Sequence, residues 1–229
     1  MQKLSELYIG VVAGAAALAF ASPAVAAVLT FDGEACGVAK PCGTYNTIDQ
    51  GYGDTANLDV QYRFDSTGSA SEANTLRWWA ASYNDLVGVA YGTPSISGAS
   101  IFFAPTAGYS VTLNAFNLGA WPNRTGAPSQ FSIFDGLGNT LFSSGSILIG
   151  EPGNIASLFT PNLTSASGIG VKWGPDSYNV GIDNVTYSVN PLTAGAVPEP
   201  STWAMMLAGL GLLGASMRRK QTERVRFAF

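Results

Sequence analysis

The sequence predicts one all-β domain, an antiparallel sandwich or closed barrel, for the central part of the chain. Only 11% of the 229 residues are charged and 27 are glycine, a composition that suits short strands joined by tight turns. Many short stretches alternate apolar and polar residues, or are rich in β-branched and aromatic residues, with turn signals between them. The same region lacks the Lys-, Glu- and Arg-rich stretches that give amphipathic helices a polar face.

Residues 1–26 predict a secretory signal peptide rather than a part of the fold. A basic residue stands near the start, and an apolar run of Ala, Gly and Val covers residues 8–21. Small residues then surround the predicted cleavage site, which consists of Ala24, Ala26 and Ala27. The alternatives are a buried helix or an uncleaved anchor, and the apolar run is short for a membrane span.

Charge and cysteine content restrict the function classes for residues 27–196. This region has five basic and twelve acidic residues, a net charge of −7. An acidic region without a basic stripe is a poor candidate for binding nucleic acid, because nothing neutralises the phosphates. The chain contains no His, which excludes Ser-His-Asp and Cys-His catalysis. Cys36 and Cys42 predict a small disulfide loop in an exported chain. The alternative is two free thiols, and a zinc site needs more ligands than these two.

Eleven strands are predicted in the central region. In chain order they cover residues 28–31, 58–64, 76–80, 87–91, 99–103, 110–118, 130–134, 140–143, 146–149, 169–173 and 180–189. Residues 58–64 alternate with period two, as in a half-buried strand. The sequence DGLGN at 135–139, between two β-rich runs, predicts a hairpin. The glycines of QGYGD at 50–54 predict a loop.

The C-terminal segment predicts a membrane element with three parts in order. These are Val197-Pro198-Glu199-Pro200, an apolar run at 204–217, and the basic cluster Arg218, Arg219 and Lys220. Cationic residues of this kind stand on the cytoplasmic side of membrane helices. We therefore expect a transmembrane helix at about 203–217, although the apolar run is shorter than the roughly 20 residues of a full span. Residues 221–229 would form a short cytoplasmic tail.

This order of parts closely resembles the PEP-CTERM sorting signal, which occupies residues 197–220 here. That family pairs the signal with exosortase, a membrane-embedded cysteine transpeptidase-like protease. The resemblance implies an inner-membrane-anchored precursor that is cut near residues 198–200 and then reaches the cell surface or the extracellular space. The family occurs in bacteria that make exopolysaccharide, so the resemblance also implies that the protein comes from such a bacterium. The alternative is an ordinary tail anchor, which gives the same topology without processing.

The central domain carries a second resemblance. The segments LTFDGEACG at 29–37 and VGIDNVTYSV at 180–189 are similar to the mature domains of other PEP-CTERM proteins. They resemble more loosely the jelly-roll sandwiches of galactose-binding or carbohydrate-binding modules. The resemblance implies an antiparallel jelly-roll β-sandwich. It also implies a structural calcium ion held by Asp183 with Asp32 and Glu34, oxygen ligands of the kind that Ca²⁺ prefers. The alternative is an Asp183 that caps a turn or binds backbone N–H groups.

Aromatic residues offer a further candidate site. Sugars stack on exposed aromatic faces, so a carbohydrate platform is one interpretation. The other is that most of these rings fill the core. The set consists of Trp78, Trp79, Trp121, Trp173, Tyr52, Tyr83 and Tyr91. Trp78 and Trp79 are adjacent, so on a strand they point to opposite sides, which predicts one buried and one exposed ring.

Two function hypotheses follow. The first is an exported, non-catalytic protein of the cell surface or extracellular matrix, whose partners are an exosortase-type protease, exopolysaccharide and, before processing, the membrane. The alternative is a carbohydrate-binding module that recognises exopolysaccharide. An enzyme with paired carboxylates is disfavoured because the acidic residues are scattered and no motif unites them. The sequence assigns no catalytic residue and requires no cofactor.

Overall fold

Short strands make up most of the structure, a computed structural model that describes residues 26–37, 42–64, 75–93, 98–192 and 200–219. Within the described residues there are thirteen strands and one helix. The strands are β1 (Ala26–Leu29), β2 (Leu58–Arg63), β3 (Arg77–Trp79), β4 (Val89–Tyr91), β5 (Ala99–Pro105), β6 (Tyr109–Ala120), β7 (Ala127–Asp135), β8 (Thr140–Ser143), β9 (Ile147–Ile149), β10 (Ser157–Phe159), β11 (Leu163–Ser165), β12 (Ile169–Gly174) and β13 (Val180–Pro191). The helix is α1 (Pro200–Arg219).

The strands form two antiparallel sheets. Sheet A has the order β10-β6-β13-β4-β3, with β1 paired to β13 and β11 paired to β6. Sheet B has the order β2-β5-β12-β7-β8, with β9 paired to β7. The predicted all-β antiparallel sandwich is therefore confirmed, as is the β7–β8 hairpin, in which the backbone N–H of Asp135 donates to the carbonyl of Asn139 at 3.0 Å.

The hydrophobic core lies between the inner faces of the two sheets. Alternation along the strands decides which side chains enter it. On β2, Val60 and Tyr62 are fully buried whereas Asp59 is exposed. On sheet A, Leu113 and Ile182 are fully buried. Burial of each such side chain stabilises the fold by about 1.5–3 kcal/mol, which makes this core the main source of stability.

Strand β13 contains a β-bulge. Asp183 pairs with Asn117 of β6 and the next pair is Thr186 with Ala115, so β13 carries one extra residue there. The following pair is Tyr187 with Leu113, so β6 then carries one extra residue and the register is restored. Asn184 lies in this bulge with φ of 52°, a conformation that Asn tolerates better than most side chains. The strand also changes its other neighbour here, because Ile182 pairs with β4 whereas residues 185–188 pair with β1.

One buried hydrogen bond ties the two sheets together directly. Trp173 on β12 of sheet B is 1% exposed, and its indole Nε1–H donates to the carbonyl oxygen of Val180 on sheet A at 2.8 Å. A buried carbonyl without a donor costs free energy because it has lost its hydration. Trp173 thus combines a large apolar ring with the one donor that this carbonyl needs.

We predict that Trp173→Phe lowers the free energy of unfolding by about 1–3 kcal/mol, because the Val180 carbonyl loses its donor in a dry site. Denaturant-induced unfolding measures the change. The control is Leu137→Ala in the β7–β8 turn, where the side chain is 78% exposed, and its effect should stay within about 0.5 kcal/mol. Equal stability of the two variants would contradict the prediction.

Candidate functional site

The predicted sorting segment lies at the edge of the described chain. Val197, Pro198, Glu199 and Lys220 fall outside the described residues. Pro200 is the first residue of α1, a position where its missing N–H costs nothing. Ala, Leu and Met dominate the residues that follow, and all three favour helices.

The helix α1 exposes its apolar side chains. Met205, Leu210 and Met217 are 74%, 57% and 74% exposed, so these side chains are not packed in the sandwich core. The helix expected at about 203–217 is present, whereas its placement in a membrane stays a prediction. Across the described ranges, no helix combines the length and the apolarity needed to cross a membrane.

The predicted signal-peptide cleavage site adjoins the first strand. Ala24 falls outside the described residues, whereas Ala26 and Ala27 are the first two residues of β1 and are both exposed. They pair with Ser188 and Tyr187 of β13. Cleavage between the two alanines would therefore leave a chain whose new N-terminus lies directly at the start of the sandwich.

The predicted disulfide is present. Cys36 and Cys42 are bonded, with Cα atoms 5.1 Å apart. Both cysteines pack partly buried against the main hydrophobic core. The bond therefore fixes the loop that follows β1 onto the body of the sandwich.

Two of the three predicted calcium ligands line one cavity. Asp32 and Asp183 face a space of about 340 Å³ that opens where β13 changes neighbour from β1 to β4. Thr30, Asp85, Leu86, Val87, Asn117 and Asn184 also line it. The third predicted ligand, Glu34, lines a different cleft of about 460 Å³ together with Asp49 and Tyr52. The structure therefore brings Asp32 and Asp183 together and leaves Glu34 apart from them.

Asp183 is the most perturbed carboxyl group at this cavity. It is 3% exposed, and one carboxylate oxygen accepts the backbone N–H of Asn184 at 2.6 Å. Burial raises the pKa of Asp183 to about 8, and the negative charge of Asp32 adds to the increase. The carboxylate of Asp85 accepts the backbone N–H of Ala156 at 2.7 Å and holds a second loop at the cavity.

Sequence reasoning did not find Asp85 at this cavity, because the residue lies in a turn with no pattern that links it to Asp183. Taken over the residues that the structure describes, no three His, Cys, Asp or Glu side chains are grouped as a metal site. The cavity therefore offers carboxylate and amide oxygens on several segments rather than one compact cluster of acids.

The tryptophans and tyrosines of the sequence lie mostly in the interior. Trp78 and Trp173 belong to the main core. Tyr83 and Tyr91 form a second apolar cluster, against which Trp79 and Trp121 pack partly buried. On β3, Trp78 therefore lies in the main core and Trp79 packs against the second cluster. Neither side of this strand presents a fully exposed indole ring.

We predict that the free energy of unfolding falls as pH rises from about 4 to about 8, owing to Asp183. Between its unfolded pKa of 3.8 and its folded pKa of about 8, the folded state holds a proton that the unfolded state releases, so increasing pH favours unfolding. Asp183→Asn should remove this component and be the more stable protein at pH 7. Unfolding curves across this range, recorded with a chelator, measure it; parallel curves for both proteins would contradict it.

The comparisons with known proteins give a family match for the C-terminal segment and a weak similarity to a solved structure. Residues 196–220 match the family described as the PEP-CTERM protein-sorting motif. No curated protein matches the chain. Among solved structures, the chain is similar to the enzymatically active domain of tailspike protein 4 of bacteriophage CBA120, at 18% identity and a TM-score of 0.28. That match covers 62% of this chain and 21% of the tailspike chain.

The chain thus spans about a fifth of the length of that tailspike chain, and a similarity this weak supports neither a shared fold nor a shared activity. No enzyme family is identified. The match at residues 196–220 is informative, because it covers all three parts of the sorting segment in order. This chain therefore joins an antiparallel β-sandwich to a PEP-CTERM sorting motif, the mark of an exported protein that is sorted by exosortase.

Proposed function

We propose that this chain is a non-catalytic protein of the cell surface or extracellular matrix, delivered by its signal peptide and released from its sorting tail by exosortase. The observation that carries the proposal is the sorting motif at residues 196–220. It starts shortly after Pro191, the last residue of β13. In this proposal, residues 27–196 are the delivered domain, residues 1–26 are removed, and the tail is cut off near residues 198–200.

The C-terminal segment acts in this scheme as a temporary membrane anchor. The apolar residues of α1 would lie in the inner membrane, the basic cluster at 218–220 would stay on the cytoplasmic side, and residues 221–229 would form the cytoplasmic tail. The Pro-Glu-Pro sequence would then lie at the outer boundary, where exosortase cuts. The exposed apolar side chains of α1 support this placement, because they are not used for packing in the sandwich.

The non-catalytic role is supported by the chemistry of the side chains. The chain has no His, and both cysteines form a disulfide. The most perturbed carboxyl group, Asp183, is buried to 3% exposure. A buried and protonated acid of this kind is poorly placed to reach a polymeric substrate. We propose that the delivered domain binds extracellular polysaccharide as a partner and does not cleave it as a substrate.

A structural cation is a second, separate proposal. Asp32 and Asp183 share one cavity with Asp85 and Asn117, and carboxylate and amide side chains carry the oxygen ligands that Ca²⁺ prefers. Glu34 belongs to this proposal only through the sequence resemblance, because it lines another cleft. A cation between the two carboxylates would offset the cost of burying Asp183 in its charged form.

Exosortase processing predicts two new chain ends. When the chain is produced in a host with exosortase, mass spectrometry of the extracellular protein should show an N-terminus at Ala27 and a C-terminus near residues 198–200. Glu199→Ala should keep the tail attached and the protein in the membrane fraction. Glu223→Ala removes the same charge beyond the basic cluster and is the matched control, which should be processed normally. Extracellular protein that still ends at Phe229 would contradict the proposal.

Calcium binding predicts a cation-dependent melting temperature. A ligand that binds only the folded state raises the melting temperature by mass action, so a chelator should lower it for the full chain. Asp183→Asn should abolish the difference between calcium and chelator. Asp59→Asn, at an exposed position on β2, should leave it intact. An unchanged melting temperature of the unsubstituted protein in chelator would count against the site.

A further inference from the structure

The outer face of sheet B carries a groove that the features above do not use. Two adjoining clefts of about 530 and 440 Å³ lie on this face and share Ser132 and Lys172 in their linings. They run along β7 and β12, from the β7–β8 turn to Pro175. The six residues of β12 span about 20 Å at the usual strand rise. The groove is therefore long enough for a segment of a polymer rather than for a single small molecule.

Two phenylalanine rings lie on this outer face. Phe102 of β5 and Phe134 of β7 both pair in register with Gly170 of the strand between them. Their ring centroids are 5.8 Å apart and their planes differ by only 12°. Both side chains are half-buried, whereas the adjacent Ile101 and Ile133 are fully buried in the core.

Gly170 makes this arrangement possible. A Cβ atom at this position would lie 2.4 Å from the ring of Phe134, which is too close for any larger residue unless the ring moves. With glycine there, the aromatic ring lies against the backbone of the sheet. The result is a pair of nearly parallel apolar rings on a sheet face that the alternation otherwise reserves for polar residues.

Basic side chains accompany the two rings. Arg63 of β2 and Lys172 of β12 both line the larger cleft, and they are two of only five basic residues in 27–196. The guanidinium carbon of Arg63 lies 6.0 Å from the ring centroid of Phe102, a cation–π distance. Its Nε is buried and has no hydrogen-bond acceptor among the described residues. The guanidinium group of Arg63 also donates a hydrogen bond to the side-chain oxygen of Gln61.

Among the described residues that line the groove, the one acid is already engaged. Asp135 lines the larger cleft, and its carboxylate accepts the backbone N–H groups of Leu137 and Asn139 at 2.9 and 2.8 Å. The side-chain amide of Asn139, which donates to the same carboxylate at 2.9 Å, and these backbone bonds lower the pKa of Asp135 and hold its charge within the β7–β8 turn. Hydroxyl groups line the rest of the groove, with Ser132 and Thr140 in one cleft and Ser143 in the other.

We propose that this groove binds an acidic polysaccharide. The apolar faces of the sugar rings stack on Phe102 and Phe134, and the carboxylates of the polymer approach Arg63 and Lys172. Charge complementarity favours this partner, because Arg63 and Lys172 give the groove a local positive charge, although residues 27–196 together carry a net charge of −7. This proposal specifies where on the domain the polysaccharide of the proposed function binds and that the polysaccharide is acidic. It rests on the proposed function only for the extracellular location in which protein and polysaccharide meet.

The test is a binding titration of the purified full chain with alginate, a linear polyuronate, and with neutral dextran. We expect binding to alginate that weakens as salt increases, and little binding to dextran. The double variant Phe102→Ala/Phe134→Ala should bind alginate about tenfold or more weakly, given the usual strength of aromatic stacking contacts. Lys172→Gln, a surface change that leaves the core intact, should weaken binding severalfold and reduce its salt dependence.

Matched variants outside the groove keep the test specific. Tyr45→Ala removes an exposed ring, and Arg124→Gln removes an exposed base; both should bind alginate as the unsubstituted protein does. Melting curves show whether each variant is folded. Poly-glutamate, which has charge but no sugar rings, should bind less tightly than alginate.

Three results would overturn the proposal: no binding to alginate, equal binding to dextran, or equal weakening by the groove and control variants. Equal binding of poly-glutamate would replace the polysaccharide by a general polyanion. The titration needs neither export nor exosortase, so its failure leaves the sorting proposal standing. Failure of tail processing in turn leaves the binding result unaffected.

Discussion

The pairing of β13 with three other strands holds the fold together. It pairs with β6 over most of its twelve residues, with β1 along residues 185–188, and with β4 at Ile182. Sheet A therefore has β13 as its centre, and Trp173 of sheet B donates its indole N–H to the first residue of the same strand. The bulge at Asp183 and Asn184 lies where the partners change. The cavity between β1 and β4 is thus a result of how this one strand is shared.

The two sheets serve different purposes as a result. Sheet A contains β1 and β13, the first and last strands of the sandwich, and its edge strand β3 pairs with Thr47 of the loop that carries the disulfide. Sheet B has a continuous set of neighbours from β2 to β8, and its outer face remains accessible along β12. The same acidic domain therefore combines a buried carboxyl group on one sheet with basic side chains on the other. A ligand on the outer face of sheet B would leave the strands that bind the chain ends undisturbed.

Sequence pattern predicted those features that local periodicity determines. The alternation at 58–64 became β2, and DGLGN became the β7–β8 turn, because both signals are contained within a few residues. The strands β10 and β11 were not predicted, since three residues cannot show a period and their pairing with β6 depends on distant residues. The disulfide followed from spacing and export alone.

The side chains that line the two cavities were harder to predict. Asp85 reaches the Asp183 cavity only through the path of its loop. The sequence pattern predicts Phe102 and Phe134 only as parts of strands, and the register with Gly170 shows that both lie on one outer face. Sites of this kind depend on the order of the strands in the sheet, and that order cannot be inferred directly from a single sequence.

The neighbouring positions of β1 and β13 constrain the timing of assembly. A polypeptide threaded through a membrane with its N-terminus first delivers Ala27 to the far side long before Tyr187, yet these two residues pair in the finished sheet. Contacts between such distant parts of a chain form slowly. In an exported chain, β1 would therefore stay unpaired, and able to pair with wrong strands, until translocation is nearly complete. The first residues of β1 lie beside the last residues of β13, so both ends of the sandwich lie on the same side of it. In an exported chain, removal of the leader and cutting of the tail would therefore both take place on that side.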